Sequence, residues 1–182
     1  MARIAAIDLP KGAVTLASCL ILAACGGGSS PQSSTGGTFA GTVIDGYIEG
    51  ATVCLDVNAN LTCDSGEPSD TTAKDGTYKL DTTALTTDQI KATHLLTVVP
   101  ASAKDADDAG KTLAEAGKSG FNLLAPAAAY VTGSGAVTGA VISPLTTLVA
   151  HDIITSQTPL ATAQANVRVR LGLESGVDLG QD

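Results

Sequence analysis

The opening of the chain decides how much of it is available to a folded domain. Basic Arg3 and Lys11 precede the uncharged stretch GAVTLASCLILAA, which is too short to span a bilayer as a mature helix and has the make-up of an export signal. Asp8 is an unusual residue for such a leader. After Cys25 comes GGGSSPQSSTGG, which has no apolar periodicity and reads as a flexible tether. The organisation expected is therefore a signal at 1–24, a tether at 25–37, a β-module at 38–100, an Ala/Gly/Thr-rich region without a clear signal at 101–142, and a helical hairpin at 143–182. With no Trp, two Phe and three Tyr, any core must be aliphatic. The formal net charge of -8 argues against a nucleic-acid partner, because phosphate binding needs clustered Lys and Arg.

The leader ends in Leu22-Ala23-Ala24-Cys25, which resembles the lipobox of bacterial lipoproteins. A competing box, Leu16-Ala17-Ser18-Cys19, would leave an apolar run of only about seven residues before the cysteine, at the short limit for a signal's apolar region. The resemblance thus implies cleavage before Cys25 and lipidation of that residue. Gly26, rather than Asp, follows it, which by the same resemblance implies sorting to the outer membrane of a Gram-negative envelope. One acyl chain binds a bilayer marginally, whereas two or more, such as palmitate, hold a protein at the membrane surface.

Residues 38–100 alternate short β-prone runs with turn chemistry, and strands are expected near 39–44, 51–56, 77–81 and 94–99. Asp75-Gly76 lies between strand formers, a hairpin signal because Gly accepts positive φ. In TYKLD, Tyr78 and Leu80 would face one side while Thr77 and Lys79 face the other. The expected class is mainly β, a small antiparallel β-sandwich followed by a C-terminal helical hairpin.

Within this region DVNANLTCDSGE places oxygen donors at every second residue: Asp56, Asn58, Asn60, Thr62 through its carbonyl, Asp64, and then Glu67. Calcium takes six to eight oxygens from a flexible loop, and this set matches that demand in ligand type and in its closing Glu. With no His in the loop, an oxygen-only set favours Ca²⁺ over transition metals. Leu61 departs from the pattern, since a glycine normally makes the sharp turn there. The competing account is a solvated Asn/Asp turn that satisfies its own backbone. Cys54 precedes the loop and Cys63 lies within it, and export makes a disulfide between them chemically allowed. Their spacing lacks the Cys-x-x-Cys arrangement of thiol oxidoreductases.

The segment ATVCLDVNANLTCDSGEPSDTTAKDGTYKL resembles the prealbumin-like β-sandwich modules of bacterial surface proteins, including SdrD B-like and carboxypeptidase regulatory-like domains. The resemblance covers about residues 40–82. It implies a calcium loop with Asp56, Asn58, Asn60, Asp64 and Glu67 in the ligand places, and a rigid, non-catalytic spacer or adhesive unit on the cell surface. Cys63 and Leu61 depart from the commonest form of that loop.

Further along, Gly110-Lys111-Thr112 and Gly117-Lys118-Ser119 invite a phosphate-loop reading, but Asp105 and Thr112 stand where the earlier glycine would have to be. Asp105, Asp107 and Asp108 read as a charge run on a solvated loop. Ser143-Pro144 starts a helix whose face is expected to be Leu145, Leu148, Val149 and Ile153. A second helix starts at Thr158-Pro159, carries Leu160, Ala163, Val167 and Leu171, and stops at Gly172. SPLTTLVA is similar to stretches of large bacterial surface lipoproteins, and the end at Gln181-Asp182, with no closing element, is consistent with a fragment. His94 and His151 form no recognisable set with the scattered Ser and Thr, so no catalytic residues are expected. Two functions remain open: a surface module that meets an envelope protein or a glycan, or the anchored N-terminal part of a larger secreted enzyme.

Overall fold

A computed structural model describes residues 37–133 and 136–181. The expected export signal, the lipidation site Cys25, and the tether up to residue 36 lie outside the described residues.

The chain is mainly β, with three sheets and a C-terminal helix pair. The strands are β1 (Thr38–Val43), β2 (Ile48–Glu49), β3 (Thr52–Asp56), β4 (Ser69–Thr71), β5 (Thr77–Asp81), β6 (His94–Val99), β7 (Lys104–Asp105), β8 (Phe121–Pro126) and β9 (Val137–Ile142). A short helix α1 (Thr87–Lys91) precedes β6, and α2 (Pro144–Ser156) and α3 (Leu160–Leu171) follow β9. One sheet has the order β5-β1-β9, the other β4-β3-β6-β8, and β2 pairs with β7.

Pairing is antiparallel throughout except between β1 and β9, which run parallel. Fully buried Phe39 and Leu80 from the first sheet join Val53, Leu55, Leu95 and Ala125 from the second in one aliphatic core. Phe39 also meets Tyr130 edge to face, with ring centroids 6.4 Å apart. In β5 burial alternates as expected, Tyr78 and Leu80 inward, Thr77 and Lys79 outward. Gly41 lets β1 and β9 approach, because a Cβ there would lie 1.8 Å from the Ala140 carbonyl oxygen.

The Asp75-Gly76 turn forms, with Gly76 at φ +72° and the Ala73 N–H bonded to the Thr77 carbonyl, but it does not make a hairpin. Its flanking strands join different sheets, β4 to β3 and β5 to β1. Carboxylates replace the missing strand partner: Asp75 accepts from the Thr77 N–H and Asp70 from the Lys79 N–H at 2.8 Å.

The region 101–142 supplies β7, β8 and β9, so the β-structure runs on to Ile142 rather than closing at residue 100. Its acidic run is not simply solvated. Asp105 is buried, accepts from the Asp107 N–H, and lies 3.4 Å from the Lys118 ammonium, which is 2.8 Å from Asp108.

Ser143 caps α2 in a capping box with Thr146, with Pro144 in the first turn. The buried face of α2 keeps Val149 and the partly buried Ile153 of the expected one but is rotated from it: Thr146, Ala150 and Asp152 are also buried, while Leu145 and Leu148 are exposed. Hydrogen bonding to β8 decides the rotation. The Thr146 hydroxyl donates to the Leu124 carbonyl at 2.8 Å and the Thr147 hydroxyl accepts from the Leu124 N–H at 2.9 Å, so the threonine face is held against the strand. Val149 packs with Ala163, Val167 and Leu179 in a second small core. Asp152 ties the two helices, accepting from Asn166 at 2.9 Å and from Arg170. Gly172 ends α3 at φ +67°. Among the described residues no helix is long and apolar enough to cross a membrane.

Candidate functional site

The acidic loop leaves β3 at Asp56 and returns to β4 after Pro68. Sheet pairing fixes both ends: Cys54 lies opposite Ser69, and the Leu55 N–H donates to the Pro68 carbonyl at 3.0 Å. A Cys54–Cys63 disulfide, with Cα atoms 5.7 Å apart, ties the middle of the loop to the strand.

Inside that frame the side-chain oxygens turn toward the loop's own amides. Asp56, almost wholly buried, accepts from the Asn60 N–H at 3.1 Å and the Leu61 N–H at 2.8 Å. Asn58 accepts from the Asn60 N–H, and Asn60 from the Thr62 N–H at 2.8 Å. The Asn58 and Asn60 steps are Asx turns, each oxygen accepting from the amide two residues on, while Asp56 reaches four and five residues on, and together they fold the alternating donors into a coil rather than a strand. Glu67 closes the loop by accepting from the Val57 N–H at 2.8 Å and the Asp64 N–H at 3.0 Å. The Asn58 and Asn60 carboxamides donate to Asp64 at 2.8 and 2.7 Å, and these bonds hold its carboxyl below the usual carboxylate range.

The absent glycine does not alter the bend. Leu61 takes φ +60° and Ala59 φ +58°, the left-handed conformation that a glycine at the sixth position would adopt without strain. The five side chains expected as ligands therefore lie in one hydrogen-bonded coil, with Thr62 joined through its backbone. Among the described residues no three His, Cys, Asp or Glu side chains gather so as to hold an ion by themselves. A cation here would depend equally on the two asparagines and on backbone carbonyl oxygen. The donors are all oxygen, the set a hard cation takes, and each carboxamide oxygen keeps a second lone pair.

Two neighbours of the loop were not evident from sequence. His94 is the cross-strand partner of Asp56. Its Nε2 is buried with no hydrogen-bond partner among the described residues, and burial pushes its pKa down against the opposing pull of Asp56. An open groove of about 490 Å³ runs beside the loop between Asn58, Asp64 and Glu67 on one side and Asp81, Thr83 and Leu85 on the other. Asp81 is brought there by the end of β5, which no motif announces. His151 is exposed on α2.

Comparison with family models, with curated proteins and with solved structures returns no match for this chain.

Proposed function

We propose that this chain is a lipid-anchored surface protein of the bacterial outer membrane, whose β-sandwich is a non-catalytic structural or adhesive unit with a calcium-stabilised loop. One observation carries the reading: a loop with the donor spacing of a calcium site is coiled in advance, with Leu61 in the left-handed turn that such a loop requires. The loop joins two paired strands, so an ion there would act on the rigidity of the sandwich edge. Its partner would be an envelope protein or a glycan. Anchorage rests on Cys25 and the apolar run before it.

Calcium should raise the thermal unfolding temperature of the full chain while magnesium at equal concentration does so far less, since Mg²⁺ demands a tighter octahedral shell. At about a hundredfold excess of ion over Kd the gain is about 2.7 kcal/mol. An unchanged melting temperature would remove the ion from the account. For the anchor, cells fed labelled palmitate should incorporate label into the wild-type chain and lose it in Cys25→Ala but not in Cys19→Ala. Label retained in Cys25→Ala would contradict the assignment.

A further inference from the structure

We infer that the Cys54–Cys63 bridge and a cation in the acidic loop are thermodynamically coupled, so that the redox state of the bridge sets the loop's affinity for calcium. The inference rests on the calcium reading above and adds a means of regulating that site.

The argument starts from what orders the loop. Sheet pairing holds Asp56 at one end and Pro68 at the other, and Glu67 is clamped to Val57. Residues 58–64 are tied by exposed hydrogen bonds among themselves, by the Asp56 carboxylate, which accepts from the Asn60 and Leu61 amides, by Glu67, which accepts from the Asp64 amide, and by the bridge at Cys63. They also contain two non-glycine residues in the left-handed region, a conformation disfavoured for any residue with a Cβ. The bridge lies between proposed donors: Cys63 separates Thr62 from Asp64, and fully buried Cys54 precedes Asp56 by two residues on the same strand.

Opening the bridge removes the cross-link between the segment that carries Asn58, Asn60, Thr62 and Asp64 and the strand that carries Asp56, leaving the Asp56 bonds to the Asn60 and Leu61 amides and the Glu67 bond to the Asp64 amide. Four of the six donors would then be ordered by those hydrogen bonds and the ion, without the cross-link. Closing it leaves the ion less ordering to do. By linkage the effect is reciprocal: whatever factor oxidation adds to calcium affinity, calcium adds to the stability of the bridge against reduction. A dithiol reductant supplies two electrons and two protons, leaving thiols on Cys54 and Cys63 and closing its own sulfurs into a disulfide.

The test uses the full chain and calcium alone. Calorimetric titration of the oxidised protein and of the Cys54→Ser/Cys63→Ser variant should give a Kd about tenfold weaker in the variant. Because that variant can fail to fold, the wild-type chain is also equilibrated in dithiol redox buffers with calcium or with a calcium chelator, and the thiols are trapped by alkylation. A tenfold coupling moves the reduction midpoint about 30 mV toward more reducing potentials in calcium. Equal midpoints, in a protein that binds calcium when oxidised, overturn the coupling and leave the site. An oxidised chain that binds no calcium overturns the site and the coupling together.

Discussion

Thr97 stands in the centre of β6 with no exposed surface and a hydroxyl that has no partner among the described residues. A buried, unmet hydroxyl is unfavourable, and Val has the same shape and suits a strand. Thr97→Val is therefore expected to stabilise the chain by about 0.5–1 kcal/mol, read as a higher melting temperature; a lower one would mean the hydroxyl has a role that this packing does not reveal. Leu61 presents the opposite case. Leu61→Gly should hold stability and tighten calcium binding, whereas Leu61→Ile, β-branched at φ +60°, should lose about 1–2 kcal/mol. Equal behaviour of the two variants would show that the turn is not held as described. The donors of this loop were legible from their alternation, since Asn58 and Asn60 each turn the chain by accepting from the amide two residues on, as short Asn and Asp side chains readily do. The left-handed Leu61 was not, because nothing local marks a leucine for that conformation.

At the level of elements, β8 and α2 meet through the backbone of Leu124. Thr147→Val should leave the Leu124 N–H without its acceptor, at a cost of about 1–3 kcal/mol, and speed hydrogen exchange at that amide. Unchanged exchange there would refute the edge cap. The helix pair also carries a pH dependence. Hydrogen bonds from Asn166, then Arg170, hold the Asp152 carboxyl below its ordinary value, so its contribution is complete above the unfolded carboxylate range and is lost as pH falls through the lower folded value. Melting temperature should thus fall more steeply below about pH 4 in the wild type than in Asp152→Asn. Parallel curves would place the acid sensitivity elsewhere. Strands β1, β3, β5 and β6 could be read from β-prone runs between turns, and the helix start from Ser143-Pro144. By contrast, β9 pairs in parallel with β1 from far along the chain, through a Gly139 bulge region, and no local pattern encodes such a partner. The expected face of α2 held at Val149 and Ile153 but not at Leu145 and Leu148, for a related reason. Apolar spacing pointed to all four, but two threonine hydroxyls bonded to the strand edge set the rotation.

Across the whole molecule, a light aliphatic sandwich carries a hydrogen-bonded acidic loop between β3 and β4 and a small helical hairpin whose first helix packs on β8. The close approach of β1 and β9 within their sheet leaves no room at Gly41, and Gly41→Ala, which would force a methyl into the Ala140 carbonyl, should unfold the chain or cost well over about 2 kcal/mol, as seen in denaturant melts. Charge, cysteine count and donor spacing conveyed the chemistry of the loop, while its setting beside His94 and Asp81 depended on strand pairing that sequence alone does not display. The central claim is that this loop is a calcium site. Calorimetric titration of calcium into the oxidised full chain, alongside Asp56→Ala and Glu67→Ala, tests it most directly: the account predicts saturable one-site binding that both substitutions abolish, and a flat titration of the wild type, or binding that survives both, would contradict it.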